Sequence, residues 1–157
     1  QLIQSGELSQ WIVQGVRGLT SNPAIFDKAL ASGSYDSAIT RAMAEGLDSQ
    51  GIYEQLAIDD IRAAADAFLP LHQASAGVDG WVSLEVSPLL AHDSASTVVE
   101  ARRLWRAVDR PNLMIKVPGT PAGLQVLRQL ISEGISVNVT LLFSVDAYVE
   151  VVEAWSS

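Results

Sequence analysis

Lys116 is the residue whose setting first indicates chemistry, because it places an amine inside the apolar segment Leu113–Val117. The sequence contains only one other lysine, Lys28, so lysine is not a routine surface residue in this chain. Burial favours the neutral form of an amine, which is the nucleophile of Schiff-base chemistry. The alternative is a lysine at a strand end whose ammonium group reaches solvent. Taken alone, the position leaves both interpretations open.

Polar residues recur at corresponding positions of four apolar segments. Residues two apart in a strand face the same side, which pairs Thr20 with Asn22, Ser83 with Glu85, Met114 with Lys116 and Asn138 with Thr140. Each segment therefore directs polar groups to one side, toward its C-terminal end. In α/β barrels and in open α/β sheets, such positions build the ligand site. A polar set from four consecutive strands favours the barrel, where all four would line one basin.

Each of these residues also has an interpretation without catalysis. Glu85 is equally an ion-pair partner for Lys116 or for an arginine. Asn22 precedes a proline and would then be a turn residue that closes its strand. Asn138 and Thr140 would be hydrogen-bonded polar residues of the core, although a buried amide needs several partners. The residues alone therefore leave structural and catalytic roles open.

The elements that must position these residues alternate between strands and helices. Segments rich in Val, Ile and Leu predict strands at 16–23, 80–86, 113–117 and 136–142. Apolar periodicity and capping signals predict helices at 52–69, 96–108 and 121–131, and a last helix from Ser144. The insert 24–79 is expected to hold more than one helix. Strands that are apolar throughout predict a parallel sheet covered on both faces.

The predicted fold class is α/β, a (β/α)8 TIM barrel represented by about half of its units. A complete barrel takes about 250 residues, and this chain has 157. We therefore expect residues 1–157 to form one partial barrel domain of four parallel βα units. The chain has no initial methionine and opens within a predicted helix. This start predicts that a first strand precedes Gln1, and the number of units that a complete barrel still needs predicts that later strands follow Ser157.

The composition restricts the classes of partner and site. The formal net charge is −8 and there is no basic run, which argues against nucleic acid or an anionic membrane as partner. The absence of cysteine excludes disulfides and thiol nucleophiles and fits a cytoplasmic location. His72 and His92 have no metal-binding partners at ligand spacing, so we expect structural roles for both. No signal peptide or membrane span is visible in the sequence.

Four ordered motifs give the chain a family likeness. They are GLTSNPAIF at 18–26, VSLEVSP at 82–88, LMIKVPGT at 113–120 and VNVTLLFS at 137–144. Together they resemble transaldolase, of the bacterial type found alone or fused to glucose-6-phosphate isomerase. The resemblance covers the chain from end to end.

The resemblance implies a (β/α)8 enzyme of the pentose phosphate pathway that uses no metal or other cofactor. Its substrates are sugar phosphates: a dihydroxyacetone unit passes from sedoheptulose 7-phosphate to glyceraldehyde 3-phosphate. By the motifs, Lys116 matches the Schiff-base lysine. Glu85 matches the glutamate that transfers protons through a water, which Thr140 helps to hold. Asn22 and Asn138 match the asparagines that bind hydroxyls of the transferred unit.

The resemblance also implies residues that this sequence does not contain. Family members carry an acid/base aspartate on the strand expected before Gln1, and a phosphate-binding serine and arginine on a segment expected after Ser157. We therefore expect impaired activity from this chain alone. The alternatives are a related class I sugar-phosphate aldolase and a non-catalytic half-barrel. Open edges of half a barrel would expose unpaired strands, which predicts self-association.

Overall fold

The computed structural model describes residues 5–157, in which four strands alternate with helices. The strands are β1 (Gly18–Thr20), β2 (Trp81–Glu85), β3 (Leu113–Pro118) and β4 (Val137–Thr140). The helices are α1 (Glu7–Val13), α2 (Pro23–Leu30), α3 (Asp36–Ala44), α4 (Ser49–Ala74), α5 (Ser94–Val108), α6 (Pro121–Ser132) and α7 (Val145–Ser156). All four predicted strand segments are confirmed, and the insert between the first two holds three helices.

The four strands form one sheet in the order β1-β2-β3-β4. β3 and β4 are parallel, and their register places Lys116 beside Asn138. The Val86 N–H donates to the carbonyl oxygen of Lys116 at 3.2 Å, which sets Glu85 beside Lys116 on the neighbouring strand. Parallel strands in sequential order, each followed by helical material, confirm the predicted α/β class and are consistent with part of a TIM barrel.

The chain divides into two compact units, Gln1–Val82 and Ser83–Ser157. In the first unit the long helix α4 supplies most of the buried apolar side chains, including Ile61 and Phe68. The Nδ1 atom of His72 lies 2.9 Å from the Asp79 carbonyl oxygen, and its ring meets that of Trp81 edge-on, with 4.6 Å between centroids. The predicted structural role of this histidine is therefore confirmed.

In the second unit, β3 separates an apolar face from a polar one. Leu113, Ile115 and Val117 are buried, and α5 and α6 pack against this strand. Met114 and Lys116 alternate with them and are only partly buried. The sequence predicted a sheet covered on both faces. Within the described residues, only the apolar face of β3 is covered, by α5 and α6. The partly buried face is the one that carries the candidate site. The assignment of residues 1–157 to a single partial barrel domain stays a prediction.

Candidate active site

The turn after β3 brings the C-terminal ends of β3 and β4 close together. The Gly119 N–H donates to the carbonyl oxygen of Thr140 at 2.8 Å. A Cβ at Gly119 would collide with the side chain of Leu142, and one at Gly123 would collide with the carbonyl oxygen of Pro118. Gly123, in the first turn of α6, is therefore required by its close approach to backbone, whereas the contact at Gly119 is with the end of a flexible side chain.

Thr120 links the same turn to the segment that follows β2. Its Oγ1 accepts a hydrogen bond from the Gly123 N–H at 3.0 Å, which caps α6 as the sequence predicts. The same hydroxyl donates to the carbonyl oxygen of Ala91 at 2.6 Å. The turn that begins after Pro118 is thus hydrogen-bonded to the end of β4 and to the segment that follows β2.

Lys116 and Glu85 form the charged centre of the site. Lys116 Nζ lies 3.0 Å from Glu85 Oε2, and the two side chains are only 12% and 19% exposed. The pairing follows from the register, because the two residues are neighbours on adjacent parallel strands. The sequence left three roles open for these residues: a lysine whose ammonium group reaches solvent, an ion pair, and catalysis. The structure brings the two residues together and excludes a solvated surface lysine.

The contact between these two groups is electrostatic. Within the described part of the chain, no donor forms a hydrogen bond with Glu85 Oε2, although Lys116 Nζ is close to it. That oxygen therefore keeps an acceptor position for a water or a substrate hydroxyl.

Asn138 and Thr140 come from the next strand. Asn138 Nδ2 donates to Ser83 Oγ at 3.0 Å, and Ser83 is 4% exposed. Thr140 Oγ1 lies 3.4 Å from the carbonyl oxygen of Val117, a long hydrogen bond. Sequence reasoning placed Ser83 on the same face as Glu85 but assigned it no function. The signal that could have identified it was its position two residues before the glutamate.

Asn22 lies in the first unit, at the start of α2. Its Oδ1 accepts a hydrogen bond from the Ile25 N–H at 2.9 Å, with Pro23 in the first helical position. This is the turn role that the sequence left open, because Asn is a favoured N-cap and Pro a favoured first residue of a helix. The binding role implied for Asn22 stays a prediction.

Among residues 5–157, no group of three or more His, Asp or Glu side chains could hold a metal ion. In the same range, no helix has both the length and the apolar character needed to cross a membrane.

Comparison with known proteins identifies the family of the chain. The family model described as Transaldolase/Fructose-6-phosphate aldolase matches residues 2–157. The chain belongs to this family. Similar relatives include Transaldolase 2 of Nostoc sp., 50% identical over 98% of this chain, and a transaldolase of Thiobacillus denitrificans, 53% identical over 94% of it. A transaldolase of Mycobacterium tuberculosis is 47% identical over 98% of the chain.

The match to these relatives covers only part of their length. The aligned region amounts to 41%, 44% and 42% of the Nostoc, Thiobacillus and Mycobacterium proteins, respectively. The family resemblance inferred from the four motifs is confirmed. The roles of Lys116, Glu85, Thr140, Asn22 and Asn138 are not tested by the family match and stay predictions.

Proposed function

We propose that the whole protein is a transaldolase that transfers a dihydroxyacetone unit from sedoheptulose 7-phosphate to glyceraldehyde 3-phosphate. The transfer runs through a Schiff base on Lys116. The observation that carries the proposal is the mostly buried Lys116–Glu85 pair at 3.0 Å, in a chain whose named relatives are transaldolases. A desolvated lysine amine is the nucleophile of Schiff-base chemistry, and a carboxylate beside it can act as the general base or acid of the proton transfers.

Imine formation begins when the Lys116 ammonium passes a proton to Glu85 through a bridging water. The neutral nitrogen attacks the ketose carbonyl carbon, and the extra proton that the nitrogen then carries passes to the carbonyl oxygen to give a carbinolamine. Glu85 returns its proton to the departing hydroxyl, which leaves as water, and a protonated imine remains on Lys116. Thr140 and the open acceptor position of Glu85 Oε2 support a water in this proton path.

Carbon–carbon cleavage then uses the protonated imine as an electron sink. The electrons of the bond between C3 and C4 move toward the imine carbon, the aldehyde product leaves, and a three-carbon enamine stays on Lys116. The C4 hydroxyl must lose its proton in this step. The resemblance assigns that proton to the aspartate expected on the strand before Gln1. Asn138 and Asn22 hold hydroxyls of the retained unit, and the aldehyde acceptor reacts with the enamine by the reverse sequence.

The experiment that tests this proposal measures acceptor-dependent transfer by the whole protein. Fructose 6-phosphate and erythrose 4-phosphate are supplied, and sedoheptulose 7-phosphate formation is followed. The expected result is transfer that Lys116→Arg abolishes and that Lys28→Arg leaves unchanged. Release of free dihydroxyacetone without an acceptor would overturn transfer in favour of the aldolase activity that the family description also names.

The proposal extends to location and assembly. We place the protein in the cytoplasm, where its sugar-phosphate substrates occur.

β4 ends the order of strands in the sheet, and a row of exposed apolar side chains follows it: Phe143, Val145, Tyr148, Val152 and Trp155. An open edge beside apolar surface favours pairing with a second copy of the chain. Sedimentation of the isolated chain tests this, and a stable soluble monomer would contradict it.

A further inference from the structure

We infer that Ser83 is a positioning residue, which acts by holding the amide of Asn138 in one orientation. The inference rests on the proposed function, in which Asn138 binds a hydroxyl of the transferred unit. Asn138 Nδ2 donates to Ser83 Oγ at 3.0 Å, and Ser83 is almost fully buried. The bond connects β2 with β4, the two strands that flank the strand of Lys116.

The register shows why these two side chains meet. Glu85, Lys116 and Asn138 lie beside one another on consecutive strands. Ser83 precedes Glu85 by two residues, so the bond to Asn138 runs obliquely past β3. Contact between side chains of alternate strands is the layered packing found inside (β/α)8 barrels.

The chemical consequence concerns which end of the amide faces a substrate. An asparagine side chain has an NH₂ donor end and an oxygen acceptor end, and rotation by half a turn exchanges them. Because the NH₂ group is held by Ser83, the Asn138 Oδ1 atom is turned away from the serine. It is then available to accept a hydrogen bond from a substrate hydroxyl. Ser83 thereby turns the acceptor end of the amide toward the substrate. This orientation favours ketose substrates that carry a hydroxyl group opposite the Asn138 Oδ1 atom.

A double-mutant cycle on the whole protein tests this role. The variants are Ser83→Ala, Asn138→Ala and the combination, with KM for the ketose donor and kcat measured for each. Ser83→Ala should raise KM roughly fivefold, the equivalent of one neutral hydrogen bond. Asn138→Ala should raise it further, and the combination should be no worse than Asn138→Ala, because Ser83 acts through that amide. Ser83→Thr keeps the hydroxyl and should stay closer to the parent than Ser83→Ala.

A matched control and a second measurement exclude a general loss of structure. Ser132→Ala removes a serine hydroxyl that bonds the Gln129 carbonyl on the exposed side of α6, and it should leave KM unchanged. In the unsubstituted protein, NMR should show that the Asn138 side-chain NH₂ protons exchange with solvent more slowly than those of exposed side-chain amides. This second measurement does not depend on any variant folding.

The outcomes separate this inference from the proposed function. An unchanged KM in Ser83→Ala, or a combination in which the two effects multiply, would overturn the positioning role. Rapid exchange of the Asn138 NH₂ protons would do the same. An Asn138→Ala variant with unchanged KM would also overturn the positioning role. If Lys116→Arg still abolishes transfer in that case, the proposed function stands. Transfer that survives Lys116→Arg would instead overturn the proposed function itself.

Discussion

Removing the cation of the Lys116–Glu85 pair should destabilise the fold measurably. The perturbation is Lys116→Met, which keeps most of the side-chain length and leaves the Glu85 carboxylate without its counter-charge. At the observed 3.0 Å, the Coulomb attraction is about 5.5 kcal/mol for an effective dielectric constant of about 20. Desolvation of both groups offsets much of this attraction, so the net value of the intact pair is smaller.

Lys116→Met should lower the free energy of unfolding by more than the net contribution of the intact pair, because the Glu85 carboxylate stays charged and partly buried. Breaking a buried pair typically costs about 3–5 kcal/mol. With the side chains 12% and 19% exposed, water reaches the carboxylate, and we take the lower end, about 3 kcal/mol. For 157 residues the unfolding entropy is roughly 330 cal/mol/K, so the melting temperature should fall by about 9 °C.

Thermal unfolding at pH 7, followed by circular dichroism, measures this loss. The combination Lys116→Met with Glu85→Gln removes the uncompensated charge and should recover most of the lost stability. Lys28→Met, on the exposed part of α2, is the matched control and should change stability by no more than about 0.5 kcal/mol. The reasoning is refuted if Lys116→Met costs less than about 1 kcal/mol and the combination is no more stable than the single variant.

Three further predictions concern the scaffold. Gly123→Ala should cost more than about 2 kcal/mol in chemical denaturation, because its Cβ would collide with backbone; an unchanged midpoint would argue against that contact. Burial and a hydrogen bond to Asp60 raise the pKa of Tyr35. The neutral phenol therefore stabilises the fold below about pH 10, and the contribution is lost as pH rises further. Tyr35→Phe should flatten the alkaline fall in melting temperature, and an identical alkaline fall in both proteins would contradict this. The hydrogen-bonded Arg102 guanidinium lowers the pKa of Glu133. That contribution is present above the usual glutamate pKa and is lost as pH falls, so the stability difference from Glu133→Gln should shrink in acid unfolding; a difference independent of pH would contradict it.

Local signals in the sequence predicted most of the fold. Apolar segments located all four strands, and the Thr120-Pro121 pair located the start of α6. The boundary errors have a local cause as well. The first strand ends at Thr20 because Asn22 leaves the strand to cap α2, whereas the sequence extended that strand to residue 23.

The geometry of the candidate site was less accessible from the sequence. Period-two alternation put Glu85, Lys116 and Asn138 on matching faces, but only the strand register determines which of them touch. The Ser83–Asn138 bond joins residues 55 positions apart, and no local pattern specifies such a contact. The close approach of Gly123 to the Pro118 carbonyl oxygen likewise depends on how the turn after β3 places the start of α6.

Trapping of the imine tests the central claim most directly, because the chain has only two lysines. The protein is incubated with fructose 6-phosphate, reduced with borohydride and digested, and the peptides are examined by mass spectrometry. The account predicts a reduced sugar adduct on Lys116 and an unmodified Lys28. An adduct on Lys28, or no adduct in protein shown to be folded, would contradict it.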